Sequence, residues 1–406
     1  MLKDSRKYLS NIFVFLSVSL IIVGCAVPKK RPIVTREEVL RRIHSIQFPR
    51  FSDDMAYDGL EHAISKSISY LERLPSSQKF MFGKDSYSTE HMIKSLRRFL
   101  TFVRTNPSKV DLKNFIESHY RVYMSVGRDQ AGEVLFTGYF EPILEGSLNK
   151  SEEFSFSLYA RPDDLLTIDL SPFSPKFSGE KIIARYTDQM VVPYYDREEI
   201  EYENALEGKA KHIAWVKDRI DLFFLQIQGS GKIYLDNGGL LHVHYHGTNG
   251  RPYRSIGKLL IDEGKIIKAE MSMQKIRAYL NDHPEEIPRI LNYNPSYVFF
   301  KTETDGPLGC INVKLTPGRS IATDRRIFPL AALAFIETKQ PLISGDGQIR
   351  KWTDLSRFAL NQDTGGAIRG PGRADLFWGN GIYAEIAAGH LQHPGKLYFL
   401  VLKPES

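Results

Sequence analysis

The chain has 406 residues, of which 42% are hydrophobic and 12% aromatic, and it carries a formal net charge of +6. This composition is typical of a folded globular protein and excludes a chain that is disordered throughout. The positive charge is spread over a long sequence without a compact basic patch, which argues against a nucleic-acid-binding protein. The sequence contains no Walker loop, dinucleotide fingerprint or Ser–His–Asp elbow, so we expect no cofactor.

Residues 1–24 resemble a bacterial lipoprotein signal peptide. A basic start precedes an apolar run at 12–23, which is shorter than the roughly 20 residues of a membrane span and falls within the ~7–15 of a signal core. Cys25 follows a box of small residues, which predicts cleavage before it and lipidation of its thiol and new amino group. In such lipoproteins, alanine rather than aspartate directly after the lipidated cysteine, here Ala26, indicates anchoring in the outer rather than the inner membrane. The alternative is an ordinary secretory signal with an incidental cysteine.

The next part of the chain has helical character. Some helix is expected around residues 38–43, and apolar residues then recur at three- and four-residue spacing up to about residue 125. With Cys25 used as an anchor, Cys310 has no partner for a disulfide, and we expect it to be a small buried residue. The segments predicted to be helical are AISKSISYLERL, MIKSLRRFLTFV and, starting near Pro107 and Ser108, VDLKNFIESHY.

After Gly132 the pattern changes to strands rich in β-branched and aromatic residues and bounded by Gly, Pro and Asn. One helical island, MSMQKIRAYLNDHP at 271–284, interrupts them. Short strands with long sequence separations predict β-barrels with added helices rather than a doubly wound sheet. The predicted strands are VLFTGYFEPILEGS, PYYDREEI, RIDLFFLQIQGSGKIYL, LLHVHYHG, SYVFFK and KLYFLVL.

Two carboxylates, Asp363 and Asp375, flank the glycine-dense stretch DTGGAIRGPGRADLFWG. Carboxylates on backbone that only glycine allows, beside the aromatic Phe377 and Trp378, suit acid–base chemistry on a sugar. A simple turn or a calcium loop is the alternative. If Asp324, which ends TPGRSIATD, lies next to the other two, repulsion and burial will raise the pKa of at least one of them.

Three further motifs offer groups that suit a sugar. In LQIQGSG, Gln226 and Gln228 are predicted to alternate onto one strand face, although a β-bulge with surface glutamines fits equally well. Aromatic rings stack on sugar faces, and amides, hydroxyls and exposed glycine backbone bind sugar hydroxyls. The other candidate residues are Thr137 and Tyr139 in FTGYFEP, Gly229 and Ser230 in LQIQGSG, and Tyr245, Asn249, Tyr253, Arg254 and Ser255 in YHGTNGRPYRSIGK.

The strand HVHYH places His242, His244 and His246 at alternate positions. Their side chains project in parallel, so they could bind zinc only if the strand bends, and no fourth ligand cluster is evident. We expect a solvated strand face and no metal site.

Taken in order, FTGYFEP, LQIQGSG, NGRPYRSIGK, MSM, SYVFF, TPGRSIATD and DTGGAIRGPGRADLFWG resemble the membrane-bound lytic murein transglycosylase A family, from about residue 130 to the C-terminus. The last motif is also the signature of the three-aspartate (3D) domain. The resemblance implies a mainly β fold with N-terminal helices, in which a double-psi β-barrel contains an inserted second β-barrel, with a groove between them. The implied boundaries are a signal peptide at 1–24, the first part of the double-psi domain at 25–142, the insert at 143–302 and the second part at 303–406.

The resemblance implies that Asp375 is the catalytic acid, with Asp363 and Asp324 as its companions. It also places Thr137, Gln226, Gln228, Gly229, Ser230 and the glycines Gly365 and Gly366 in a sugar-binding groove. The implied activity is cleavage of the β-1,4 bond between N-acetylmuramic acid and N-acetylglucosamine with formation of 1,6-anhydromuramoyl ends. One carboxylate serves first as acid and then as base. His246, where a small residue is expected, departs from the family pattern.

Two alternatives remain open: a hydrolytic muramidase in which Asp363 is the second catalytic group, and a non-catalytic lipoprotein that tethers the outer membrane to murein. The expected partners are peptidoglycan glycan strands and the outer membrane, through Cys25. Cell-wall synthesis or division proteins are candidate partners, and no nucleic acid is expected. The expected location is the periplasmic side of the outer membrane.

Overall fold

A computed structural model describes Thr35 and residues 37–404 of the chain. The predicted signal peptide and Cys25 lie outside these residues. Within the described part, no helix is both long and apolar enough to cross a membrane. The helices and strands up to residue 139 are β1 (Leu40–Ile43), α1 (Leu60–Leu71), β2 (Lys79–Phe82), β3 (Asp85–Ser88), α2 (Thr89–Val103), α3 (Lys109–His119), β4 (Tyr120–Ser125) and β5 (Val134–Tyr139).

The middle of the chain folds around a six-stranded sheet with the order β14-β13-β12-β6-β11-β7, which we call the second sheet. Ala160, which directly follows β7, bridges to Phe300 of β14, so the sheet curls back on itself. The strands of a smaller sheet, β10-β9-β8, lie between β7 and β11 in the sequence. The elements are β6 (Ile143–Ser147), β7 (Phe156–Tyr159), β8 (Leu166–Asp169), β9 (Lys181–Thr187), β10 (Met190–Pro193), α4 (Arg197–Tyr202), β11 (His212–Val216), α5 (Arg219–Gln228), β12 (Ser230–Leu235), β13 (Leu240–Thr248), α6 (Ile256–Asp262), α7 (Met273–Asp282), α8 (Ile287–Asn292) and β14 (Val298–Glu303).

The remaining strands close a barrel with β5. β18 pairs in parallel with β5 and antiparallel with β15, and β5 also pairs with β19, so the ring runs β5-β18-β15-β17-β16-β19. The largest apolar core fills this barrel and the space under α1 and α2. The C-terminal elements are β15 (Ser320–Ala322), β16 (Leu333–Ile343), β17 (Ile349–Asp363), β18 (Arg373–Phe377), α9 (Ile382–His390) and β19 (Gln392–Leu402).

The mainly β prediction is therefore confirmed, with a closed six-stranded barrel whose strands come from both sides of the second sheet. The three N-terminal helices are confirmed as well. α2 and α3 begin after Ser88 and Ser108, whose hydroxyls each accept a hydrogen bond from a backbone N–H three residues on. The helix expected at 38–43 is wrong, since Leu40–Ile43 is β1 and pairs antiparallel with β4. A helix of six residues is too short to be stable by itself, whereas strand pairing satisfies the backbone groups of this segment.

Two predicted strands are partly helical. In PYYDREEI, α4 starts after Asp196, whose carboxylate accepts from the Glu199 N–H in a capping box. In RIDLFFLQIQGSGKIYL, only Ser230–Leu235 is a strand, and the first ten residues, Arg219–Gln228, are α5. Asp218 caps its N-terminus and Gly229 ends it in the left-handed conformation, with φ of 81°. Gln226 and Gln228 consequently lie on a helix, and the predicted strand alternation is wrong.

Candidate active site

Strand β18 presents Arg373 and Asp375 on one face, because side chains two residues apart on a strand point the same way. Its parallel partner β5 places Thr137 directly opposite Asp375. The Thr137 hydroxyl donates to Oδ1 of Asp375, and Nε of Arg373 donates to the same oxygen at 3.3 Å. Nη2 of Arg373 also donates to the Thr137 hydroxyl at 3.2 Å, so the three side chains form one connected group. The Asp375 side chain is 15% exposed, which leaves it accessible from one side.

Asp363 ends β17 and lies close to this group. Its Oδ1 accepts hydrogen bonds from the backbone N–H groups of Cys310, at 2.9 Å, and Thr364, at 2.8 Å. The Tyr139 side chain is beside it, and its ring packs against Phe377 with the centroids 5.2 Å apart. The fold therefore brings Thr137, Tyr139, Asp363 and Asp375 together.

Burial raises the pKa of both carboxyl groups, because a charged carboxylate loses solvation inside the protein. For Asp375, Arg373 and the Thr137 hydroxyl partly offset the rise. For Asp363, backbone N–H groups and Tyr139 lower the pKa, whereas the charge on Asp375 raises it further, and the result is a pKa of about 6. One carboxyl of the pair consequently retains its proton under mildly acidic conditions.

Asp324 is arranged differently from the other two aspartates. It is buried, Oδ1 accepts from Nε of Arg326 at 2.9 Å, and Oδ2 accepts from Nη2 of Arg326 at 2.7 Å and from the Gly370 N–H at 2.9 Å. Burial alone would raise its pKa, but these donors bring it below the usual range. The Asp324 carboxylate thus stays charged and holds the loop between Asp363 and Asp375.

The glycines of that loop differ in backbone conformation. Gly370 has φ of +75°, which an L side chain rarely adopts, and its N–H is the one that binds Asp324. Gly365 and Gly366 do not have positive φ, so their backbone conformation does not itself require glycine. A Cβ on Gly366 would meet no heavy atom within 4 Å, which leaves open space above this residue.

The second sheet and α5 supply residues on the other side of the crossover from β5 to β6. Oε1 of Gln228 accepts from the Phe140 N–H at 3.2 Å, and the Gly229 carbonyl accepts from the Tyr245 N–H at 2.7 Å. Ser230 begins β12 and is buried. Desolvation raises the pKa of Tyr253, and Arg373 is near enough to lower it.

Three predicted site residues are bonded to other parts of the fold. Oε1 of buried Gln226 accepts from Nη2 of Arg197 at 2.6 Å. Asn249 is fully buried, and its amide nitrogen donates to two backbone carbonyls while its oxygen accepts from two backbone N–H groups. Ser255 caps the N-terminus of α6. The amide group of Asn249 is therefore occupied by backbone partners, whereas Nε2 of Gln226 is buried without a hydrogen-bond partner.

Two outcomes concern residues that the sequence did not assign correctly. Cys310 is exposed, not buried, and it contributes its backbone N–H to Asp363. Arg373 was missed, although its position two residues before Asp375 on a strand was a usable signal. Among the described residues, no group of three or more His, Cys, Asp or Glu side chains is arranged to hold a metal ion.

Trp378 follows Asp375 closely and is 8% exposed. It packs against Gly138, where an added Cβ would lie 2.7 Å from Nε1 of Trp378 and 2.7 Å from Cα of Ala388 in α9. We expect Gly138→Ala to destabilise the protein by about 1–3 kcal/mol, because the extra methyl overpacks a rigid contact. Urea unfolding measures the change. Gly345→Ala is the matched control, since a Cβ there meets nothing within 4 Å; equal unfolding midpoints for the two variants would contradict the prediction.

Comparison with known proteins gives two family matches. Residues 135–301 match the model described as the MltA specific insert domain, and residues 319–401 match the 3D domain. The chain is 33% identical over 297 residues to membrane-bound lytic murein transglycosylase A of Escherichia coli K12, covering 72% of this chain and 73% of that protein. It is 32% identical over 282 residues to the protein of the same name from Vibrio cholerae, covering 68% of each.

Solved structures agree with these matches. The crystal structure of a membrane-bound lytic murein transglycosylase from Agrobacterium tumefaciens has a TM-score of 0.72 and 27% identity, covering 90% of this chain and 98% of that one. The structure of E. coli MltA with bound chitohexaose has a TM-score of 0.69 and 26% identity, covering 92% and 97%. The closed barrel, the second sheet inserted after β5 and the sequence identity together show that the chain belongs to the membrane-bound lytic murein transglycosylase A family.

Proposed function

We propose that this protein is a lytic transglycosylase that cleaves the β-1,4 bond between N-acetylmuramic acid and N-acetylglucosamine and leaves a 1,6-anhydromuramoyl end. The coarser activity, a lytic transglycosylase of peptidoglycan, rests on its family membership. The observation that carries the finer proposal is the Asp375 carboxyl, which is partly accessible, has a raised pKa and is bound by Thr137 and Arg373.

In the first step, protonated Asp375 donates its proton to the glycosidic oxygen. The C1–O bond breaks, N-acetylglucosamine leaves with that proton, and positive charge develops at C1 of the muramoyl residue. Arg373 is hydrogen-bonded to Asp375 and stabilises the carboxylate that this step produces.

In the second step, the Asp375 carboxylate accepts the proton of the muramoyl C6 hydroxyl while that oxygen bonds to C1. The acid is thereby regenerated, the ring closes to the 1,6-anhydro form, and no water is consumed. Asp363 and Asp324 act through the loop they hold and through their charges, with Asp324 kept ionised by Arg326 and Gly370.

One observation favours a second candidate. Asp363 has a pKa of about 6, while Arg373 and Thr137 favour the charged form of Asp375. A hydrolytic muramidase needs such a pair, with one protonated carboxyl and one charged carboxylate that activates water. In that mechanism Asp363 is the acid and Asp375 the base.

The anchoring and the domain boundaries belong to the same proposal. The relatives named above are membrane-bound proteins, and the lipoprotein-like signal at 1–24 supports lipidation of Cys25 on the periplasmic side of the outer membrane. Sequence from 25–142 and 303–406 would then form the barrel domain and 143–302 the insert, with glycan bound in the groove between them.

The test is to digest murein with the purified protein and to weigh the released muropeptides. Anhydro products are lighter by one water than the corresponding muramidase products, and their detection supports the transglycosylase. Products of full hydrolytic mass support the Asp363–Asp375 hydrolase instead. Release of no product while the glycan still binds would contradict both mechanisms.

A further inference from the structure

The crossover that leaves the barrel after β5 is bonded to the segment that follows Asp375. The Tyr139 carbonyl accepts from the Trp378 N–H at 2.9 Å, and the Glu141 N–H donates to the Gly379 carbonyl at 2.7 Å. These bonds continue the β5–β18 pairing past the end of both strands. The backbone at 139–141 is consequently fixed to the barrel side of the groove.

The same crossover is also bonded to the second sheet and α5. The Phe140 N–H donates to Oε1 of Gln228 at 3.2 Å, and the Pro142 carbonyl accepts from the Lys232 N–H of β12 at 2.9 Å. Main-chain groups along four successive residues therefore bind the barrel and the second sheet in turn. The position of the second sheet relative to the barrel is therefore set at this short segment.

Glu141 is the charged side chain at the centre of this crossover, and it is 1% exposed. Its Oε2 accepts from Nδ2 of Asn380 at 2.9 Å, on the barrel side, and lies 3.3 Å from Nζ of Lys232, on the side of the second sheet. Its Oε1 faces Gly306 in the returning connection, 3.9 Å from where a Cβ would be. One carboxyl group thus contacts both sides and approaches the second connection between them.

We propose that Glu141 is a positioning residue that holds the Gln228–Tyr245 side of the groove at its working distance from Asp375. The inference rests on the proposed function, since it concerns the groove in which the glycan is bound and cleaved. Glu141 itself touches no reacting atom in this scheme.

The charge of Glu141 is needed for this role, not only its shape. The Lys232 side chain is 20% exposed, and Glu141 is its ion-pair partner. Removing either partner leaves a largely buried charge without its counter-charge, which is costly, whereas removing both relieves that cost. Replacing Glu141 by glutamine keeps an acceptor for Asn380 but releases Lys232, so the second sheet is no longer held through this contact.

The experiment compares Glu141→Gln, Lys232→Met and the double variant in the full-length protein. We expect each single variant to lower kcat/KM on murein by about 10- to 100-fold, because a small misplacement of the substrate relative to the acid costs that much. The affinity for chitohexaose, measured in an Asp375→Asn background, should weaken in parallel. The pH dependence of kcat should stay unchanged, since the aspartate pair is not altered.

The double variant should recover part of the loss, which a merely additive effect on folding would not produce.

Glu337→Gln is the control, because Glu337 is a half-buried barrel carboxyl that bonds Tyr398 and not the crossover. The inference is wrong if Glu141→Gln matches that control in kcat/KM and chitohexaose affinity. It is also wrong if the loss in the double variant equals the sum of the losses in the two single variants. It is also wrong if the losses disappear after correction for the folded fraction. Failure of the wild-type protein to form anhydro products would overturn the proposed function instead, and the affinity measurement would still test Glu141.

Discussion

Asp375→Asn is expected to lower turnover of murein by about 10²–10⁴-fold, the range that a positioned general acid–base contributes. Asparagine keeps the oxygen that accepts from Thr137 and Arg373, so the local geometry should survive. It cannot donate a proton and then take one back, and both steps of the mechanism therefore fail. The rate of muropeptide release measures the effect, and calorimetric titration with chitohexaose measures binding, which should be retained.

Asp354→Asn provides the control for this substitution. Asp354 lies on β17 of the same barrel, its side chain is 89% exposed, and it pairs with Lys339 at the surface. We expect the control to keep wild-type turnover and binding. If Asp375→Asn retained more than a tenth of wild-type turnover, Asp375 could not be the acid, and Asp363 would be the candidate to test next.

Asp363→Asn is expected to stabilise the protein above pH 6 by about 1–3 kcal/mol while lowering turnover. The folded-state pKa of Asp363, about 6, is above its value in the unfolded chain, so ionisation favours unfolding. The penalty is absent below about pH 4, grows as the pH rises and is complete above pH 6. Asparagine removes it and still accepts from the Cys310 and Thr364 N–H groups.

Urea unfolding of both proteins at pH 4 and pH 8 measures this effect. The difference in unfolding free energy should be near zero at pH 4 and positive at pH 8, and a difference that is equal at the two values would refute the pKa assignment. The same variant separates the two mechanisms. About a tenfold loss of turnover, with anhydro products still formed, fits a supporting role for Asp363. Complete loss of turnover fits Asp363 as the catalytic acid.

Much of the fold follows from local patterns in the sequence. The spacing of apolar residues predicted α1, α2, α3 and α7, because a single buried face decides each of these helices. The segment that became α5 was misassigned, because the continuous apolar run Leu222–Leu225 suits a buried strand as well as a helix. Asp218 and Gly229, which cap that helix, were the signals that should have decided between them.

The candidate site depends on contacts that local patterns do not contain. Motif order brought Asp363, Asp375 and Thr137 to one site, but hydrogen-bond partners decide how each carboxyl group titrates. Asp324 has its pKa lowered by Arg326 and Gly370, whereas burial raises that of Asp363. Likewise, the sequence could not show that Arg197 donates a hydrogen bond to Gln226, because these residues are distant in the sequence and come into contact only in the folded protein.

The closure of the barrel by β5 determines when the site can form during folding. Thr137 and Asp375 are 238 residues apart in the chain, and the second sheet folds from the sequence between them. Pairing over such a separation carries a large loop-closure entropy and is slow, whereas a sheet of nearby strands forms sooner. β5 can therefore pair with β18 and β19 only once the last quarter of the chain is present. The group of side chains around Asp375 is assembled only at that late step. A partly folded or truncated chain should therefore have no activity on peptidoglycan.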